Sequence, residues 1–248
     1  MSEIDRIKKK IHEQDSKKWW GDDFDVRFYL ISKIKNLKNK SVLDVGGGIG
    51  IICSEMDISN FRINMDLSFE DLKTCNYKEP KIQNICASMT HLPFDRNSFD
   101  CIICSHLLEV AKSLDIKNQK TEKNNDVTSY PTVEKTLEEI HRVMKDNADL
   151  YLTTPNNSRY KSTKLDYYEL KKALQNHFPK FLLSFYNTYP RLSKQNRKFD
   201  LANIIPKLTS KLRNSDKIRQ SLLKKDLGKE MNSVSFYVEA SKNEDELK

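Results

Sequence analysis

The segment that most narrows what this chain can become is Val42-Leu43-Asp44-Val45-Gly46-Gly47-Gly48-Ile49-Gly50. A short apolar run of strand character enters it directly, and four of the chain's six glycines fall within Gly46–Gly50. A strand that ends in such a turn and reopens as a helix brings bare backbone close to a ligand, because glycine has no Cβ and accepts positive φ. The helix that follows presents N–H groups with no intrahelical partner. In a dinucleotide enzyme those groups hold a pyrophosphate. Two features here point elsewhere. A G-x-G-x-x-G count from Gly46 puts Ile51 in the sixth position, where glycine or alanine is required. Asp44 also stands at the strand's end, where a carboxylate repels a pyrophosphate and suits an ammonium group.

Around this loop the chain alternates strand and helix patterns. Asp25 to Asn36 has helical spacing through Val26, Tyr29, Leu30 and Ile34, and Ser41 to Val45 is a strand. Ile51 to Met56 opens a helix. Phe61 to Met65 is a second strand ending at Asp66, Ile82 to Cys86 a third and Phe99 to Cys104 a fourth. Val133 to Met144 reads as a helix with Leu137, Ile140 and Met144 on one face. Asp149 to Thr153 is a fifth strand, stopped at Pro155. A helix, Tyr167 to Phe178, and strands Phe181 to Tyr186 and Ser233 to Ala240 complete the series. This alternation predicts an α/β fold, with a mostly parallel sheet and helices on both faces. Residues 111–132 are mostly polar and read as a mobile loop. Residues 1–18, with Ile4, Ile7 and Ile11 at helical spacing, read as a short amphipathic helix or arm.

The glycine segment satisfies D-x-G-x-G-x-G through Asp44, Gly46, Gly48 and Gly50, with Gly47 between. In this it resembles the class I S-adenosylmethionine-dependent methyltransferases, and their small-molecule type most closely. Further landmarks lie in the same order. Asp66, followed by Leu67, ends the second strand 16 residues after Gly50, where an acid accepts hydrogen bonds from ribose hydroxyls. Ala87-Ser88-Met89-Thr90-His91-Leu92-Pro93-Phe94 resembles the family's adenine-edge loop, with Ser88 where Asp is usual and Met89 offering its backbone N–H. Ser105 ends the fourth strand. Thr153-Thr154-Pro155-Asn156 ends the fifth, and Lys145-Asp146-Asn147-Ala148 replaces the usual Lys-Pro-Gly-Gly turn. The resemblance covers about residues 26–156 and extends loosely to the last strand, expected antiparallel to its neighbours. It implies S-adenosylmethionine as cofactor, held by Asp44, Gly46, Gly47, Gly48, Gly50, Asp66, Leu67, Ser88, Met89 and Ser105.

Methyl transfer from a sulfonium is an in-line displacement, so positioning and exclusion of water carry most of the work. A base is needed only when the acceptor must lose a proton. His106, directly after strand four, is the candidate, with Glu109 the other nearby group. The bland alternative for His106 is a residue that packs at a helix start. Ser105-His106-Leu107-Leu108 is not the Asn-Pro-Pro-aromatic signature of amino-methylating DNA enzymes. Trp19, Trp20 and Arg27 precede the first core strand. In related enzymes such a segment closes over the cofactor, and Arg27 has either the cofactor's carboxylate or Asp23 and Asp25 as a partner.

Charge and cysteine usage bound the setting. Five cysteines, an odd number, and a polar start from Met1 to Asp5 fit a reducing cytoplasm, and no apolar run reaches bilayer length. Cys101 and Cys104 form C-x-x-C inside an apolar strand, where residues three apart face opposite sides, so they read as structural and no metal site is expected. The net charge is +8. Between Asn157 and Lys229 lie 18 basic and five acidic residues, with Leu201, Ile204, Ile205, Leu208, Leu212, Ile218, Leu222 and Leu223 at about helical spacing. Three readings of that stretch stand open: a cap buried on the domain, a surface helix on anionic lipid, or an RNA-binding face.

The expectation is a doubly wound, seven-stranded sheet of Rossmann-like class I type. It has an N-terminal helical arm (1–40), a cofactor-binding core (41–156) and a C-terminal part (157–248) with a basic helical insertion at about 190–230. The expected function is methyl transfer to a small-molecule or lipid-like acceptor by a cytoplasmic protein, peripheral at a membrane in the lipid reading. The rivals are an RNA methyltransferase, a cofactor-binding partner subunit without catalysis, a nicotinamide oxidoreductase and a nucleic-acid binder using this fold as a platform.

Overall fold

The computed structural model describes residues 24–121, 130–156, 165–186 and 235–242. The strands are β1 (Ser41–Val45), β2 (Phe61–Asp66), β3 (Gln83–Cys86), β4 (Phe99–Ser105), β5 (Met144–Pro155), β6 (Lys180–Tyr186) and β7 (Ser235–Ser241). The helices are α1 (Phe24–Ile34), α2 (Ile51–Ser54), α3 (Phe69–Lys78), α4 (Leu108–Thr121), α5 (Pro131–Val143) and α6 (Tyr167–His177). They form one seven-stranded sheet in the order β3-β2-β1-β4-β5-β7-β6. Neighbours from β3 to β5 are parallel, and β7 is antiparallel to both β5 and β6. The order reverses between β1 and β4, and in such sheets ligands bind at the carboxyl ends beside that point.

Alternate residues of the central strands feed two cores. On one face Leu43, Val45, Ile102, Cys104, Leu150 and Leu152 pack with α4, α5 and α6. On the other, Val42, Cys101, Ile103 and Tyr237 pack with Val26, Tyr29, Leu30 and Ile34 of α1 and with Ile52. Cys101 and Cys104 are buried in these separate cores, as the strand geometry requires. The Tyr29 and Tyr237 rings meet edge-on at 4.7 Å, joining α1 to β7.

α5 is clearly amphipathic. Val133, Leu137, Ile140 and Val143 share its buried face, and each such side chain contributes about 1.5–3 kcal/mol on removal from water. Its first turn has no side-chain cap of its own. Asp115 on α4 supplies one: its carboxylate accepts from Thr132 N at 2.9 Å and from Val133 N at 3.4 Å. A buried anion at a helix N-terminus satisfies orphan donors and complements the helix dipole.

Three elements depart from the sequence expectations. Residues 111–121, expected in a mobile loop, continue α4. Its inward face holds Leu108, Ala111, Lys112 and Asp115, all buried, so charged side chains interrupt the apolar periodicity that marks a helix. α3 is a helix beyond those the periodicity predicts, and Ser68 caps it by accepting from Asp71 N. β5 begins five residues early, at Met144 opposite Phe99, and Lys145–Ala148 form an irregularity in the strand rather than a free turn. Pro155 ends β5 still paired with Ser235, opposite a strand and not beyond it. The expected helix over residues 1–18, Trp19, Trp20 and the basic stretch at 190–230 lie outside the described residues.

Candidate functional site

The glycine loop rises from β1 at the point of strand reversal. Gly46, Gly48 and Gly50 have φ of 75°, 55° and 74°, the left-handed region that glycine alone enters without a Cβ penalty. The loop is tied to β2. Gly46 N and Gly47 N donate to Met65 O at 2.7 and 3.2 Å, Gly48 N donates to Asp66 Oδ2 at 2.9 Å, and Asn64 Nδ2 donates to Gly48 O at 2.8 Å. A Cβ on Gly46 would stand 2.7 Å from Leu107 Cδ1, which brings the turn after β4 against the loop. A Cβ on Gly47 would overlap Asn64 Oδ1 and stand 2.7 Å from the Asp44 carboxylate.

Beneath Gly47 lies a polar ladder across three parallel strands. Asp44, Asn64 and Asn84 are in register on β1, β2 and β3, and Asn64 Nδ2 donates to Asn84 Oδ1 at 3.0 Å. Asp44 and Asn64 are fully buried, and both Asp44 oxygens and Asn64 Oδ1 have no hydrogen-bond partner. Burial, with the nearby Asp66 charge, pushes the Asp44 carboxyl up to about 7, tempered by the Cys53 thiol and the Arg27 charge. Three buried acceptors without a donor are costly, and a proton or a cation is what would satisfy them. Arg27 lies half-buried on α1, and its charge acts on Asp44.

Asp66 ends β2 with both oxygens engaged, Oδ2 by Gly48 N and Oδ1 by Ser68 N at 2.8 Å. Leu67 beside it is largely exposed. The loop after β3 starts with Ala87 N donating to Asp66 O at 3.2 Å. Ser88 caps its turn: Oγ lies 3.0 Å from Thr90 Oγ1 and accepts from Thr90 N at 3.3 Å. Met89 and Phe94 pack on the main core. The stretch from Leu92 to Phe94 is clamped from α5. Leu92 N donates to Glu139 Oε2 at 2.9 Å, while Arg142 donates to Leu92 O and Phe94 O at 2.9 and 2.7 Å. Glu139 and Arg142 are paired at 2.9 Å, and the Arg142 hydrogen bond, joined by that of Leu92 N, holds the Glu139 carboxyl below its usual range despite burial. Sequence reading missed this clamp, because nothing in the local pattern tells which loop a helix's polar face meets.

At the ends of β4 and β5 a second polar group forms. Ser105 Oγ lies 2.9 Å from Thr153 Oγ1. His106 has φ 58°, and its N–H donates to Thr153 O at 2.9 Å. Its Nδ1 lies 3.2 Å from Glu109 Oε1, and Thr154 Oγ1 donates to Glu109 Oε2 at 3.2 Å. His106, Glu109 and Thr154 are all buried. The structure thus joins the two groups that sequence reading had set apart as alternatives. Asp44, Gly46–Gly50, Asp66, Leu67, Ser88, Met89, Ser105 and His106 all lie at or beyond the carboxyl ends of β1 to β4. His91 meets Thr90 at 3.0 Å, and His177 meets Glu134 at 2.7 Å. Among the described residues no three His, Cys, Asp or Glu side chains gather to hold a metal ion. No described helix is long and apolar enough to cross a membrane.

This strand order, with an antiparallel β7 and a glycine loop at the reversal point, defines the Rossmann-like architecture of class I S-adenosylmethionine-dependent methyltransferases. Residues 43–152, somewhat under half of the chain, match the family model described as a methyltransferase domain. An uncharacterized protein of Methanocaldococcus jannaschii is 32% identical over 127 residues, 51% of this chain and 46% of that protein. The match thus spans about half the length of the curated relative. Among solved structures, the chain is similar to one in the complex of the Haloferax volcanii Trm112 methyltransferase activator with its proposed methyltransferase. The TM-score is 0.57 and the identity 12%, over 91% of each chain. It is also similar to an S-adenosylmethionine-dependent methyltransferase of Thermotoga maritima, with TM-score 0.52 and 12% identity over 88% of this chain and 89% of that one. At those identities the structures speak for the fold alone.

The family's cofactor is S-adenosylmethionine, and the residues present fit it. A glycine cradle admits no side chain at Gly47. The unpartnered oxygens of Asp44 and Asn64 beneath it suit a cationic ligand and would oppose a pyrophosphate.

Proposed function

We propose that the chain is an S-adenosylmethionine-dependent methyltransferase acting on a small or amphiphilic acceptor. The observation that carries this is the buried, donor-less carboxylate of Asp44 under a left-handed glycine loop, at the switch point of the sheet. In this reading Gly46 to Gly50 hold the aminoacyl part of the cofactor, with Asp44 complementing its ammonium. Asp66 meets the ribose and fixes the loop through Gly48. Leu67 and Met89 flank the adenine, Ser88 lies at its edge, and Ser105 faces the cofactor from β4. The bound cofactor supplies an electrophilic methyl group on a sulfonium. The residues at the ends of β4 and β5 orient the acceptor and exclude water, which is where such a displacement gains most of its rate. Residues 41–156 form the cofactor-binding core, and the segments before and after it shape the acceptor's approach.

Titration calorimetry with S-adenosylmethionine and with NADH, on wild type and Asp66→Ala, tests the proposal. The expected result is binding of the sulfonium cofactor alone. Because charge-assisted hydrogen bonds contribute about 1.5–3 kcal/mol, its affinity should fall roughly 10- to 100-fold in the variant. Binding of NADH, or of neither ligand, would overturn the assignment.

A further inference from the structure

His106, Glu109 and Thr154 converge from the end of β4, the first turn of α4 and the end of β5. All are buried, and the chain of contacts is continuous: Thr154 Oγ1 to Glu109 Oε2 at 3.2 Å, and Glu109 Oε1 to His106 Nδ1 at 3.2 Å. A carboxylate offers no proton, so the Nδ1 contact is a hydrogen bond when Nδ1 is the donor. Thr154 spends its own proton on Oε2, which orients the carboxylate toward the ring. The backbone fixes the other side. His106 is in the left-handed region, its N–H is held by Thr153 O, and the next residue, Leu107, abuts Gly46 of the cofactor loop. A non-glycine residue at positive φ beside a ligand loop is a conformation that the surrounding contacts must maintain.

We propose that Glu109 and Thr154 are positioning residues holding His106 as its Nδ1–H tautomer, so that Nε2 is the base for a hydroxyl or amine acceptor. The proposal rests on the methyltransferase reading above. The acceptor's lone pair forms the new bond to the methyl carbon, leaving the old bonding pair on sulfur, and the acceptor's proton passes to Nε2. The products are the methylated acceptor, S-adenosylhomocysteine and an imidazolium whose charge faces the Glu109 carboxylate. An acceptor that is already anionic, such as a carboxylate, has no use for this arrangement. The substrate class is therefore one whose reacting oxygen or nitrogen carries a hydrogen.

The test uses the full chain with 15N-labelled histidine, the His106 ring signals being assigned by their loss in His106→Gln. Wild type is expected to show a protonated Nδ1 and a bare Nε2 when the ring is neutral. Thr154→Ser should keep that signature, while Glu109→Ala should mix the two tautomers. Catechol, n-octylamine and octanoate serve as acceptor probes, with S-adenosylhomocysteine release as the readout. With catechol or octylamine, turnover should fall at least about 100-fold in His106→Gln, the lower end of what a positioned base contributes, and by a smaller factor of about ten in Thr154→Val, where the base remains. Cofactor affinity should change little. A wild-type ring protonated at Nε2, a tautomer unmoved in Glu109→Ala, or equal turnover in wild type and His106→Gln would overturn the proposal. Failure of wild type to bind S-adenosylmethionine by calorimetry marks instead the failure of the methyltransferase reading.

Discussion

Asp44 shows how burial sets the energetics of a single carboxyl. Its carboxyl is pushed up to about 7 by burial, against about 3.9 in an unfolded chain. For an acid the sign follows directly. Folding is unpenalised below about pH 4, and the penalty grows as pH rises toward 7, reaching on the order of 4 kcal/mol once the folded group must also ionise. Asp44→Asn removes that penalty and places an amide donor in register with Asn64. The variant is therefore expected to melt higher than wild type at about pH 8 and nearly equally at about pH 4, by differential scanning calorimetry. The same variant should bind S-adenosylmethionine more weakly. Wild-type affinity should also drop below about pH 7, where the carboxyl holds a proton, and that component of the pH dependence should vanish in Asp44→Asn. A lower melting temperature for the variant at alkaline pH would contradict the assignment of Asp44 as an uncompensated buried acid.

Among the elements, α5 does more than cover the sheet. Its apolar face fills the core, while Glu139 and Arg142 on its other side hold Leu92 and Phe94 beside the site. Arg142→Ala would remove the guanidinium donor from Phe94 O, Leu92 O and Glu139, leaving Leu92 O with Phe94 N and Glu139 with Leu92 N. The expected cost is roughly 2–3 kcal/mol by urea denaturation, with faster hydrogen exchange at the Leu92 amide than at the Ile140 amide. Unchanged exchange at Leu92 would show that the loop holds its shape without the clamp. α4 carries the complementary lesson. Its buried Lys112 donates to Glu169 at 2.6 Å and lies over the Tyr130 ring at 4.4 Å, and its buried Asp115 caps α5. Lys112 and Asp115 interrupt the apolar periodicity of α4, although each is satisfied by a group brought from another element.

For the whole molecule, β7 is the element on which the sheet's completion depends. It pairs through seven residues with β5 and seven with β6, although about 80 residues of chain separate it from the end of β5. Phe236, Tyr237 and Val238 are buried, feeding both cores. A chain ended before Ser235 should lose both pairings and expose both cores. It is expected to show no cooperative thermal transition by circular dichroism, whereas Phe236→Ala should still fold at a cost of about 3–5 kcal/mol. Cooperative melting of the shortened chain would mean that the parallel half of the sheet stands by itself.

Much of this was determined by the sequence alone, because it is local. Periodicity marked all seven strands, since alternation and short apolar runs survive without tertiary context. The glycine spacing fixed the loop, since left-handed φ at Gly46, Gly48 and Gly50 is a property of the residue. Motif order then placed Asp66 and Ser105 at the carboxyl ends of their strands and Met89 in the loop just beyond β3. What the tertiary structure decided is every relation between residues distant in the chain. It set Asn64 beside Asp44, Glu139 and Arg142 on the Leu92 loop, and Thr154 behind Glu109. No window of sequence contains these pairs, and burial turns each from a solvated polar group into one that must find its partner.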